Sequence, residues 1–279
     1  MVKAFFLSRK TLALLLLVLV GLVRLPMEER LSRELQEQQL VEEPPNWSVL
    51  EGLGQMGMAA AVGGLRSLVA SMTYLAAYGA FEDVNWEGVQ RFMAVTTRLE
   101  PHNPSYWEEA SWHMAYNATA YYQRDKSLRP AIRNKLIREH IQMGKDILEE
   151  GLRYLPNNPS LWLRLGQILQ DKQFDDRRAA EAYLECYAKG GQKYQYAERM
   201  AAYEMVKLSD RPSWERAYEI LKKYYDKGMR QKGTSIMRDL PILEERLNIP
   251  KDQRVKPLPQ DLPHYQPKIP RVPGTALPK

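Results

Sequence analysis

Histidine, cysteine and paired carboxylates are the side chains through which this chain could do covalent or acid–base chemistry, and their spacing suits it poorly. The histidines are His102, His113, His140 and His264. No two lie three or four residues apart, the separation at which one helix face presents two imidazoles to a metal ion. Glu108-Glu109 and Glu149-Glu150 are adjacent pairs. Neighbouring side chains on a helix diverge by about 100°, so neither pair can act alone as an acid and its base. The single cysteine, Cys186, falls in an apolar helical pattern and reads as a small buried hydrophobe. One thiol also excludes an intramolecular disulfide framework. No Walker loop, Gly-x-Ser-x-Gly elbow or paired-cysteine motif is present. The expectation is a protein without catalytic residues, resident metal, cofactor or small-molecule substrate. Its recognition chemistry is aromatic instead. Tyr106, Trp107, Trp112, Tyr116, Tyr121 and Tyr122 crowd one segment, and Tyr and Trp carry much of the binding energy at protein interfaces.

The elements that must hold these side chains are helices joined by a recurring turn. Leu99-Glu-Pro-His-Asn-Pro-Ser-Tyr-Trp107 returns as Tyr154-Leu-Pro-Asn-Asn-Pro-Ser-Leu-Trp162, 55 residues later. In each copy the first proline stops a helix, an asparagine offers a cap, and the second proline presets φ for the next first turn. Val89, Phe92, Met93, Thr96 and Leu99 mark one face of a helix starting near Asn85. Trp107, Ala110, Ser111 and Met114 mark the next, and a polar break follows at 123–130. A long helix then runs to the residues before Pro156. Further helices fit 159–172, the stretch from the Gln173-Phe-Asp-Asp176 turn to Gly190-Gly191, 194–208 and 212–228, with a short one at 235–247 closing the stack. No segment alternates with period two, so the chain reads as all-α.

This pattern resembles a tetratricopeptide-type helical repeat protein. With Trp162 at the repeat's fourth position, Leu165, Gly166 and Leu169 fall on its leucine, glycine and tyrosine positions. Ala179, Tyr183 and Cys186 fall on the small and aromatic positions of the second helix, allowing one extra turn residue. Gly144, Leu148, Gly151 and Pro156 match the preceding unit's second helix, and Trp107, Ala110, Ser111 and Met114 its first. The match spans roughly Asn85 to Gly228, with an insertion in the first unit and a degenerate third. The resemblance implies a short α-solenoid over 85–249 whose first helices line a concave, partner-binding surface. Carried over residue by residue, Glu108, Trp112, Ala115 and Tyr116 face that surface in one unit, and Leu163, Gln167, Gln170 and Asp171 in the next. The layout is also similar to bacterial membrane-anchored repeat proteins, a resemblance that brings no activity with it.

Both ends of the chain differ from its middle. Lys3, Arg9 and Lys10 precede Thr11–Val23, an apolar run of 13 residues, which has the layout of an export signal. Gly21-Leu-Val-Arg-Leu-Pro-Met27 offers no small-residue cleavage site, so 1–25 reads as an uncleaved signal anchor. The basic flank keeps the amino terminus cytoplasmic and sends the body across, into a bacterial periplasm by this reading. A Glu/Gln/Arg-rich juxtamembrane helix and the Pro44-Pro45 hinge occupy 26–51. A Gly/Ala-rich apolar helical hairpin occupies 52–84, with 52–81 as a second membrane segment the alternative. Residues 250–279 hold eight prolines and read as an extended, basic, disordered tail. The net charge of +6 is located at these ends, +3 in the first ten residues and +4 from Lys251 onward, which leaves the body near −1. A folded basic face, which nucleic-acid binding requires, is therefore not expected.

Overall fold

Caps and prolines set the helix boundaries in the computed structural model, which describes residues 65–229 and 234–255. In chain order the helices are α1 (Arg66–Glu82), α2 (Trp86–Leu99), α3 (Pro104–Trp112), α4 (Thr119–Arg124), α5 (Pro130–Tyr154), α6 (Pro159–Ile168), α7 (Asp176–Gly190), α8 (Gln195–Lys207), α9 (Arg211–Asp226) and α10 (Ser235–Arg246). Every regular element among the described residues is helical. All of them belong to one of the two units into which the chain divides, Gly63–Lys279.

Asparagine and aspartate side chains satisfy the first free N–H groups of the helices. Asn85 accepts from Gly88 N at 2.9 Å, Asn103 from Ser105 N at 3.1 Å, and Asn158 from Ser160 N at 2.9 Å. Asp175 and Asp210 do the same for α7 and α9. Pro104, Pro159 and Pro212 sit in first turns, where a missing N–H costs nothing. Gly191, at φ +56° and ψ −142°, ends α7 in a backbone conformation open to glycine and strained for other residues.

Two π-helical turns interrupt the regular rods. His113–Ala118 joins α3 to α4, and Leu169–Gln173 extends α6. With the 55-residue offset they fall on nearly the same repeat positions. A wide turn of this kind rotates the side chains that follow it relative to those before it.

Helices pack chiefly on the helices before and after them in sequence, with further contacts of α3 on α5 and α6 and of α8 on α10. This layering in chain order fits an α-solenoid. Glycines permit the closest approaches. A Cβ on Gly144 of α5 would lie 2.6 Å from that of Ala115, on Gly151 2.8 Å from the Trp107 ring, and on Gly166 of α6 2.6 Å from the Tyr183 ring. The main core runs from Trp107 to Val255, while a smaller cluster joins α1, α2 and α3 through Ala77, Trp86, Met93 and Met114. Ile147 packs against both.

The ordered chain extends beyond 249. Val255 is buried and its N–H donates to Glu244 Oε1 at 2.7 Å, so residues 250–255 pack onto α10 and are not part of an extended tail. The anchor (1–25), the juxtamembrane segment and hinge (26–51), residues 52–64 of the apolar hairpin and residues 256–279 of the tail lie outside the described residues. Among the described residues no helix is long and apolar enough to cross a membrane.

Candidate functional site

Helices α3 and α6 lie side by side. Of the eight carried-over positions, Trp112, Tyr116 and Asp171 touch one another in sequence, and Glu108 and Gln167 share Arg164. Trp112 stacks on Tyr116 with ring centres 4.3 Å apart and planes 16° from parallel. Trp112 nevertheless stays 45% exposed, an unusual state for so large an apolar side chain. The Tyr116 hydroxyl reaches Asp171 Oδ2 at 3.4 Å, and the Lys172 ammonium lies 4.5 Å from the Tyr116 ring centre. Burial raises the Tyr116 phenol and lowers the Lys172 ammonium from their ordinary values, the nearby Asp171 adding to the first shift and opposing the second.

A second polar row adjoins these residues. Glu108 accepts from Ser160 Oγ at 2.5 Å and from Arg164 Nε at 3.1 Å, and Arg164 Nη1 donates to Gln167 at 3.1 Å. Gln170 Nε2 donates to Glu204 Oε1 at 2.6 Å, while its own oxygen accepts from the Tyr183 hydroxyl at 2.6 Å. Lys207 donates to Glu204 and also to Asp176, the latter at 3.1 Å. Glu204 is fully buried. Burial, reinforced by Asp176 and opposed by Lys207, lifts its carboxyl from 4.5 to about 7.

Two of the expected surface positions are core positions instead. Leu163 is 8% exposed and belongs to the main apolar cluster. It occupies the repeat position of Glu108, but an aliphatic side chain there turns toward the core while the carboxylate seeks Arg164. Ala115 is buried beneath Gly144, whose missing side chain draws α5 onto it. Neither can touch a partner. Sequence reasoning, in turn, missed Arg164, Lys172 and Glu204. The signal for Glu204 was a lone carboxylate on the apolar Ala197, Ala201, Met205 face.

It also missed a third use of the tryptophan turn. Trp107 Nε1 donates to Pro101 O at 2.7 Å, Trp162 Nε1 to Pro156 O at 2.9 Å, and Trp214 Nε1 to Leu208 O at 2.6 Å. Each indole stands four residues after the cap and bonds the carbonyl six residues back. Leucine replaces proline in the third copy, which hid it in the sequence.

The remaining candidates for chemistry are structural. His113 packs 4.7 Å from the Phe81 ring and pairs with Asn117 at 3.1 Å, and burial lowers its basicity. His140 Nδ1 lies 2.8 Å from Leu136 O. Glu109 accepts from the Tyr74 hydroxyl at 2.6 Å, away from Glu108 and its partners, so the adjacent carboxylates diverge. Burial pushes the Cys186 thiol up to about 12. Among the described residues no three His, Cys, Asp or Glu side chains converge on a metal position. Gly52-Leu-Gly-Gln-Met-Gly57 has the glycine spacing of a dinucleotide-binding turn. It lies outside the described residues, and among those residues there is no strand for such a turn to follow.

A separate cleft of about 1000 Å³ runs between α7 and α9, lined by Trp162, Glu181, Glu185, Tyr187, Arg216 and Lys223. Some of its charges pair with neighbours, Glu185 with Lys189, Lys223 with Glu198 and Arg178 with Glu149. Comparison of the chain with protein-family models, with curated proteins and with solved structures finds no match.

Proposed function

We propose that this protein is a non-enzymatic adaptor of the tetratricopeptide type, tethered to a membrane by its amino-terminal segment. It holds a protein or peptide partner on the α3–α6 face. The observation that carries the reading is Trp112, left exposed on its Tyr116 platform beside a row of amide and charged side chains. An exposed indole stacked on Tyr116, itself beside Asp171 and Lys172, is suited to clasp one apolar side chain of a peptide. The apolar leader at Thr11–Val23 supports the tether.

A photo-reactive phenylalanine analogue at Gln167, on α6, tests the proposal in native membranes. One stoichiometric protein adduct is expected, lost on Trp112→Ala or Tyr116→Ala with the melting temperature held within a few degrees. Adducts that are absent, or that ignore both substitutions, overturn it.

A further inference from the structure

The indoles of Trp107, Trp162 and Trp214 each bond the carbonyl six residues behind them, and Trp86 does not. The Trp86 side chain is 7% exposed, and its buried nitrogen finds no acceptor among the described residues. The carbonyl six residues back, Ala80 O, accepts instead from Asn85 N at 2.8 Å. A buried donor without an acceptor is costly to keep, and it is the first place to look for a bound group.

Trp86 lines a surface cleft of about 750 Å³ where the α1–α2 turn faces the carboxyl end of α4, a size common for small-molecule sites. The cleft lies at the far end of α1 from residue 65, about 25 Å along the helix. Its walls are apolar. The Phe81 and Tyr121 rings lie 5.8 and 6.0 Å from the Trp86 ring. Val84 adds a further wall at φ +57°, where glycine would sit without strain and a β-branched residue is an outlier. An apolar side chain is what that strain keeps on the cleft. The mouth is basic. Arg124 and Lys126 line it, exposed, and pair with no carboxylate among the described residues. Asp125, also in the lining, is turned to its own chain, accepting from Ser127 N at 2.8 Å and Ser127 Oγ at 2.6 Å. The three charged residues leave the cleft net positive by a single charge.

We propose that this cleft binds a small organic monocarboxylate with an apolar body, an aryl or short alkyl acid. Its carboxylate accepts from the Trp86 indole and pairs with Arg124 and Lys126, while the aromatic walls take the body. The net charge of the lining balances one negative charge and not two, and the planar guanidinium matches a carboxylate. Because the indole nitrogen has no contact with solvent, entry displaces a neighbouring ring. Tyr121 is exposed and Phe81 half-buried, so Tyr121 is the ring that turns aside. The cleft shares no residue with the Trp112 surface, and this inference stands independently of the peptide-binding reading.

An NMR titration of the full chain in detergent micelles, isotope-labelled at the tryptophan indole nitrogens, tests it. Trp86→Phe assigns the Trp86 resonance. Broadening by a spin label on Ser127→Cys does so without touching the core, since the native Cys186 is buried. Phenylacetate and hexanoate are expected to move the Trp86 indole resonance downfield and to saturate. Arg124→Gln combined with Lys126→Gln should weaken both acids by about tenfold, the loss of a charge-assisted contact, with the melting temperature unchanged. Unchanged affinity in that variant, or phenylacetamide binding as tightly as phenylacetate, overturns the anionic assignment. Phenyl phosphate binding more tightly than phenylacetate overturns the monocarboxylate. The absence of a saturable shift with either acid overturns the site, as does an indole resonance already at the downfield position before any acid is added.

Discussion

Tyr116 and Asp171 occupy the same position in successive repeat units, 55 residues apart, and they touch, hydroxyl to carboxylate at 3.4 Å. A repeat-equivalent pair in contact is what side-by-side first helices produce, and it closes one flank of the exposed Trp112. The bond is long and Asp171 is exposed, so its contribution to stability is small. Asp171→Asn is expected to shift the unfolding free energy by less than about 0.5 kcal/mol in urea denaturation. Loss of partner capture in that variant would then report binding and not the fold.

The three indole–carbonyl bonds hold the interhelix turns in register. Replacing tryptophan with phenylalanine removes the donor, costing about 0.5–1.5 kcal/mol at Trp162 and Trp214. Trp107 is 1% exposed and packs beneath Gly151, so Trp107→Phe adds a cavity penalty and should cost roughly 2–4 kcal/mol. Urea unfolding of the three single variants checks the order, with Trp107→Phe the least stable.

Glycine on α5 serves packing and not chain flexibility. At Gly144 the added methyl group would meet Ala115 N and Ser111 O, each at 2.9 Å, and backbone cannot step aside as a side chain can. Gly144→Ala is therefore expected to destabilise by about 1–3 kcal/mol, despite the better helix propensity of alanine. Gly166→Ala meets the Tyr183 ring at 2.6 Å and should fall within the same range. Calorimetry on both variants tests the claim, and a gain in melting temperature at either site would contradict it.

Glu204 makes stability depend on pH in a stated direction. Its carboxyl titrates near 7 in the folded protein against 4.5 as an unperturbed group, because burial penalises the charge. Between those values the folded state binds the extra proton. The stabilisation is therefore complete below about 4.5 and is lost as pH rises toward about 7. Glu204→Gln should flatten this part of the profile and melt higher than the parent above neutrality. An unchanged slope of melting temperature against pH in that variant would remove Glu204 as its source.

Cys186 should resist thiol reagents in the native protein at pH 8, since it is buried and its thiol is held protonated. Its labelling rate then follows opening of the α7 core and should rise with urea in parallel with unfolding. Rapid labelling without denaturant would contradict this packing.

Helix positions were legible wherever the chain carries its own stop and start signals. Asn85, Asn103 and Asn158 cap where the sequence places them, and Trp107, Leu165, Gly166, Ala179, Tyr183 and Cys186 are buried on the apolar helix faces. The face each residue presents was less legible. Ala115 and Leu163 were placed on the surface by repeat position, yet local events rule there: a π-helical turn, a glycine opposite, an apolar side chain with a core within reach. Burial of Val255 was invisible because nothing nearby in sequence announces its partner Glu244.

Local chemistry by itself determined that the described part of this chain is helical and where most of its helices begin and end. Caps, prolines and the 3.6-residue period act over a few residues, so a sequence states them directly. Only the tertiary structure decided that Glu204 would be buried against Gln170 and that Trp112 would remain in solvent on Tyr116. Those outcomes depend on which helix lies beside which, and that is fixed by the packing of the whole stack at once.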